Sequence, residues 1–226
     1  MEKLMKFKKW FVENWHQATW MFLLVVFGIF GIIKTIEASS RDRYRHYTSF
    51  EIYQETNKLI YDSIKLSLVD KVDNYIADVA KTSALNGLVI VNNCLEYDID
   101  ICFVLAQGEQ ESHFGTKGIA RKTNSVFNVF AFDGHDYNRI NKDGKYAHPN
   151  DCVEPYLKLL KRDYLVDGKT EYDMFKKYVN KTGKRYASDP EYEKTLFDKF
   201  NKIRTNTDID ITYQELKKQA LIIGMD

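Results

Sequence analysis

Only three cysteines occur in the chain, Cys94, Cys102 and Cys152, and no two of them form a CxxC pair. An odd count without metal-ligand spacing excludes a disulfide framework and a zinc ribbon, so the three read as free packing thiols. Net charge is nearly absent, +1 over 226 residues. What charge there is divides unevenly: residues 1–45 hold 8 basic and 4 acidic side chains, residues 46–226 hold 25 and 28. Phosphate binding scales with local basic charge, so the larger part is a poor ligand for nucleic acid, and no nucleic-acid partner is expected. Internal repeats and low-complexity tracts are also missing, and the length suits one ordinary domain plus an appendage. Aromatics, by contrast, are plentiful: 15 Tyr, 14 Phe and 3 Trp. They fill a core, and they also stack on sugar rings.

The appendage lies at the front. Residues 18–33 read ATWMFLLVVFGIFGII, sixteen positions without a charge, and residues 14–17 lengthen the uncharged run to twenty. Sixteen helical residues rise about 24 Å and twenty about 30 Å, close to the hydrocarbon thickness of a bilayer. Trp15 and Trp20 stand where interfacial anchors stand, and Lys34 can snorkel at the other end. The expectation is an uncleaved transmembrane helix over 18–34 with the lipid bilayer as partner. The rival, a cleavable signal peptide, has a weak cleavage-like site in IEASS at 36–40. Lys3, Lys6, Lys8 and Lys9 before the run balance Lys34, Arg41, Arg43 and Arg45 after it, so charge does not orient it.

The remainder reads as mostly α with a small β element. Residues 41–82 are charged and helix-prone, with Ile52, Leu59, Ile60, Ile64, Leu66 and Leu68 following no clean period. Ser83 is a plausible N-cap for a helix running to Tyr97. A second helix begins near Ile99, where Ile99, Cys102, Phe103 and Ala106 repeat at helical spacing; it reads as buried nearly all round until Gln107. HFGTKG ends it, and residues 116–149 read as loop, with INKDGKYA at 140–147 carrying an Asp-Gly hairpin turn. Helices resume at 150–166, 171–180, 190–204 and 212–222. In SDPEYE, Ser188 or Asp189 caps, Pro190 enters the first turn and Glu191 completes a capping box.

LAQGEQESHFGTKG at 105–118 carries the chemistry. At 100° per residue, Gln107 lies about 40° from Glu111 and Val104 about 20°, whereas Glu109 and His113 each point about 160° away. Glu109 is therefore expected on the surface, and Glu111 above an apolar floor. A carboxyl in that setting resists ionising, and a raised pKa suits it to protonate a glycosidic leaving oxygen. Gly108, costly inside a helix by roughly 1 kcal/mol relative to Ala, suggests close approach of something to the helix face.

Three ordered motifs then resemble those of the glucosaminidase family, glycoside hydrolase family 73, within the lysozyme-like superfamily: LAQGEQESHFGT at 105–116, NSVFNV at 124–129 and YASDPEY at 186–192. The resemblance covers about 70–205. It implies a lysozyme-like, mainly α, α+β domain with a small β-hairpin, which the transmembrane helix read from the uncharged run would precede. It implies that Glu111 is the general acid, that Tyr186 lines the cleft near it, and that Phe127 and Asn128 form the cleft wall. With Gln107 on the same helix face, these make the expected substrate-binding set. The implied activity is a peptidoglycan hydrolase cleaving β-1,4 bonds of the glycan strand, of N-acetylglucosaminidase type. A lytic transglycosylase using the single Glu is the alternative, and a non-catalytic glycan-binding or structural membrane protein the alternative of another class. No cofactor and no metal are expected; His135, Asp136 and His148 match no common ligand pattern. A second carboxylate has four candidates, Asp133, Asp136, Asp143 and Asp151, and nothing in the sequence chooses among them. The expected organisation is a basic segment over 1–17, the anchor over 18–34, a linker over 35–69, the catalytic domain over 70–205 and a C-terminal helix over 206–226. The catalytic domain would face the cell wall, either in a bacterial envelope or from the internal membrane of a phage virion.

Overall fold

A computed structural model describes the backbone of residues 15–129, 145–177, 180–183 and 185–225, with side chains 15–22, 25 and 42–47 outside the described set. Every regular element among the described residues is helical. In chain order these are α1 (Trp15–Val79), α2 (Gly87–Glu96), α3 (Ile101–Ser112), α4 (Ala120–Thr123), a 3-10 turn (Pro149–Cys152), α5 (Val153–Asp163), a second 3-10 turn (Glu171–Phe175), α6 (Tyr192–Asn206) and α7 (Ile209–Ile222). The α+β expectation is thus corrected: no strand occurs among the described residues. Of the hairpin expected at 140–147, residues 140–144 lie outside them, and 145–147 form no strand.

The chain divides into two units, Met1–Thr56 and Asn57–Asp226. In the first, side chains along the described helix stand exposed, Leu24 and Phe27 at 70%. No helix among the described residues is long and apolar enough to cross a membrane, which corrects the anchor expected over 18–34 and the single-pass localisation built on it. Uncharged is not the same as apolar. The sixteen-residue run is about 24 Å long, short of the roughly 30 Å hydrocarbon core, and the residues that lengthened it include Asn14, His16 and Gln17.

In the second unit, α1 contributes one stripe to the core, Tyr61, Leu68, Val72 and Ile76, at spacings of seven, four and four. Leu59 and Leu66, conspicuous in sequence, are on its solvent side at 67% and 64% exposure. A short connection leads to α2, which is capped by Asn86, whose side chain accepts from the Leu88 amide at 2.8 Å, rather than by Ser83. Gly87 is needed there: a Cβ would lie 2.8 Å from Asp73 Oδ1 and 2.9 Å from the Val69 carbonyl of α1.

At the centre is α3. Asp100 caps it by accepting from the amides of Cys102 (2.8 Å) and Phe103 (3.3 Å), and Ile101 to Gly108 are all buried. It packs mainly on α6, and also on α2 and α7. The α7 residue Tyr213, 1% exposed, sets its hydroxyl 2.9 Å from the carbonyls of both Cys94 and Ile99, closing the bend between α2 and α3. The cysteines are free and buried in this core.

Candidate active site

The C-terminal end of α3 is where the site is built. Immediately after Ser112 come His113 and Phe114, both in the left-handed region with φ of 51° and 52°, followed by Gly115 at 84°. Their amides return to the carbonyls of Glu109 (3.1 Å) and Gly108 (3.0 Å), closing the helix. Two consecutive non-glycine residues in this conformation are unfavourable by about 1–2 kcal/mol each, and the neighbourhood holds them. Ser112 Oγ donates to the Val126 carbonyl (2.6 Å) and accepts from the Gly115 amide (2.7 Å); Ser83 Oγ donates to the Phe114 carbonyl (2.7 Å). The Phe114 ring, 1% exposed, folds back under the helix. That ring explains Gly108: a Cβ there would lie 3.0 Å from Phe114 Cδ1 and Cε1, so the close approach inferred from sequence is by the chain's own Phe114.

Glu111 sits one turn beyond the buried core of α3, half-buried, with Val104 fully buried below it. Its carboxylate meets two neutral donors. The Tyr192 hydroxyl donates to Oε1 at 2.5 Å, and the Asn128 amide donates to Oε2 at 3.2 Å and to the Glu111 carbonyl at 2.9 Å. Burial pushes the Glu111 carboxyl above the ordinary range, and the two donors pull it back only in part. A carboxyl whose pKa is raised by burial while it stays half-buried suits general-acid catalysis.

Tyr192 is the first residue of α6. It is placed by the segment before it, where the Arg185 guanidinium donates to Glu193 Oε1 (2.8 Å) and Oε2 (2.5 Å) and to the Asp189 carbonyl (2.6 Å). Asp189 Oδ1 accepts from the Glu191 amide (2.9 Å), making a turn one residue ahead of the helix rather than a side-chain cap on it. Tyr186 is half-buried and stacks on Tyr192, with ring centroids 5.5 Å apart and planes at 25°. Behind these, Gln107 is fully buried: its Nε2 donates to the Tyr192 oxygen at 3.1 Å, and its Oε1 accepts from the Tyr156 hydroxyl of α5.

The expected substrate-binding residues thus fall at different depths. Tyr186 and Asn128 are half-buried around Glu111, Asn128 in the left-handed region at φ 50°. Phe127 is 1% exposed, its ring 3.8 Å from that of Tyr156 and nearly parallel at 7°. Gln107 reaches Glu111 through Tyr192. Two members lie outside the expected set. Tyr192 closes the YASDPEY motif, and its position seven residues from Arg185 on the way into a helix was the available signal; Tyr156, on α5, had none.

Elsewhere, Asp151 is engaged in the first 3-10 turn, accepting from the His148 amide at 3.0 Å while His148 Nδ1 accepts from Asn150. Asp133, Asp136, Asp143 and His135 lie outside the described residues. Among those described, no three potential ligands cluster as a metal site would need.

Comparison with known proteins agrees with this region. The model of the glucosaminidase family, described as mannosyl-glycoprotein endo-beta-N-acetylglucosaminidase, matches residues 88–205, a span holding all three motifs. An N-acetylmuramoyl-L-alanine amidase domain-containing protein of Staphylococcus aureus is 28% identical over 155 residues, which are 60% of this chain and 25% of that protein. The match covers α2 to α6 and includes Glu111, Asn128 and Tyr192, and the chain belongs to the glucosaminidase family of glycoside hydrolases.

Proposed function

We propose that this protein hydrolyses β-1,4 glycosidic bonds of the peptidoglycan glycan strand as an N-acetylglucosaminidase, with Glu111 protonating the leaving oxygen. The observation that supports it is the carboxyl of Glu111, whose pKa burial raises at the end of α3 and whose partners among the described residues are the neutral donors Tyr192 and Asn128. A glycan entering over Glu111 would meet Tyr186 and Asn128 at the rim. Such a substrate lies outside the cytoplasmic membrane, so the enzyme acts there. A virion setting drew its argument from the membrane anchor and is dropped with it.

One observation keeps a second chemistry in view. Among the described residues, Asp151, one of the four candidate second carboxylates, is engaged in capping a turn, and a lytic transglycosylase, working with Glu111 alone, is the other reading. Mass spectrometry of digested peptidoglycan separates them. Reducing N-acetylglucosamine ends are the expected product; 1,6-anhydro ends would replace hydrolase by transglycosylase, and reducing N-acetylmuramic acid ends would replace the bond assigned. Intact strands bound without release of fragments would leave only a glycan-binding protein.

A further inference from the structure

The buried polar groups behind Glu111 form a chain with a direction. The Tyr156 hydroxyl donates to Gln107 Oε1; Gln107 Nε2 donates to the Tyr192 oxygen; the Tyr192 hydroxyl donates to Glu111 Oε1. Gln107 is fully buried, as is Tyr156, and Tyr192 is 5% exposed. A phenol has one proton. With its oxygen already accepting from Gln107, Tyr192 can give that proton only to Glu111. A side-chain amide also has a sense: while Oε1 is held by Tyr156, the NH2 end faces Tyr192. Turned over, the amide would offer Tyr192 an oxygen, and the Tyr192 proton would have two competing acceptors.

We propose that Tyr156 and Gln107 are positioning residues for the acid: they fix the sense of the Tyr192 hydroxyl, hold Glu111 Oε1 as a hydrogen-bond acceptor, and leave Oε2 as the oxygen that carries the transferable proton. The distances support the choice, since Oε1 has the 2.5 Å donor and Oε2 only the 3.2 Å contact to Asn128. Burial pushes the phenols of Tyr156 and Tyr192 well up, so both remain protonated donors at any pH at which Glu111 titrates. Among the described residues, the titratable groups facing Glu111 are Tyr192 from α6, Tyr186 from the segment before it and Tyr156 from α5. The proposal rests on Glu111 being the acid, but its test does not.

The test is a titration of the Glu111 carboxyl carbon by 13C NMR in the full-length protein, with the resonance assigned by its loss in Glu111→Gln. Tyr192→Phe removes a donor that favours the carboxylate, so the midpoint is expected to move to higher pH by about half a pH unit or more, roughly a threefold change in proton affinity. Tyr156→Phe, which keeps the ring stacked on Phe127, is expected to move it the same way by less. The deciding comparison is the double variant. A relay acting through Tyr192 predicts that Tyr156→Phe adds no shift once Tyr192 is Phe, yet adds its full shift to that of Asn128→Gly, which removes the independent donor to Oε2. Additive shifts for the tyrosine pair, or no shift from Tyr156→Phe alone, would overturn the proposal. Should Tyr156→Phe fail to fold, Gln107→Met runs the same cycle with the same expected signs. Full activity in Glu111→Gln would defeat the catalytic assignment and leave the titration cycle readable.

Discussion

Two glutamates stand two residues apart on α3, and the protein treats them oppositely. Glu109 faces α1 and α6: the Tyr75 hydroxyl donates to its Oε2 at 2.5 Å, and the Lys199 ammonium bonds its Oε1. Burial pushes Glu109 up, but Lys199, Tyr75 and Lys202 together bring it below the ordinary carboxylate range. Glu111 faces Tyr192 and Asn128, neither of them charged, and burial wins. Both carboxyls are withdrawn from water, so withdrawal is not what separates an acid from an anchor. A cation is. With one in reach, a half-buried carboxylate ties three helices together; with only neutral donors among the described residues, burial raises the pKa and favours the acid form.

The largest expected effect breaks the comparison at its functional end. Glu111→Gln, near-isosteric, should lower glycan-fragment release by roughly 10²–10⁴-fold, the worth of a general acid. Glu109→Gln should leave turnover per folded molecule within about twofold of wild type, a small change beside that factor. Equal losses in both variants would mean that the two faces are not functionally distinct. Stability should show the reverse. Glu109 is 11% exposed and Lys199 22%, a mostly buried pair only partly screened. Lys199→Ala should therefore cost about 2 kcal/mol, or ~5 °C in Tm, measured by thermal denaturation.

The pH dependence sharpens the contrast through its sign. Glu109 has a lowered pKa when folded, so its contribution is present above the ordinary carboxyl range and is lost as pH falls through the folded value. Glu111 has a raised one, so the fold penalises its carboxylate and stability declines as pH rises from the ordinary range through the raised value. Glu111→Gln should accordingly stabilise the protein at neutral pH, measured as a higher Tm, and the gain should vanish below the ordinary carboxyl range, where both states are protonated. Enzymatic activity should fall on the alkaline side, as Glu111 ionises. A Tm gain that persisted in acid would have to come from something other than its charge.

Sequence geometry separated the two faces but not their depths. Helical rotation put Glu109 opposite Glu111, yet placed it on the surface, because a lone helix pattern does not reveal that α1 and α6 flank α3 for one more turn. The same limit touches Gln107: its face was legible from its spacing to Glu111, whereas its burial depends on Tyr156 and Tyr192, 49 and 85 residues away. Motifs carry such distant information only when they are read to their last residue. In YASDPEY, the resemblance points to Tyr186 and the spacing to the helix start, while Tyr192, its final residue, is the one that bonds Glu111. In α1 the visible apolar residues Leu59 and Leu66 misled, because the core stripe runs through Tyr61, Leu68, Val72 and Ile76.

The smallest expected effect tests whether the support under Glu111 is stiff. Ala at position 108 gains about 1 kcal/mol of helix propensity over Gly. Against it, the new Cβ would lie 3.0 Å from Phe114 Cδ1 and Cε1 and 3.3 Å from Phe127 Cε1. Neither ring can easily retreat. Phe127 is stacked on Tyr156, and Phe114 sets its edge on Tyr75 with centroids 6.1 Å apart, on a backbone pinned by Ser83. Overpacking of this kind costs about 1–3 kcal/mol, so Gly108→Ala should be net destabilising by ~1 kcal/mol, visible as a Tm lower by a few degrees. Because Phe127 precedes Asn128, a shifted ring also moves the donor to Oε2, whereas the Lys199 partner of Glu109 stays where it is. Loss of activity beyond the loss of folded protein is therefore expected from Gly108→Ala and not from Lys199→Ala. A neutral or stabilising Gly108→Ala would show that Phe114 yields, and that the left-handed turn after Ser112 is held by its hydrogen bonds rather than by packing.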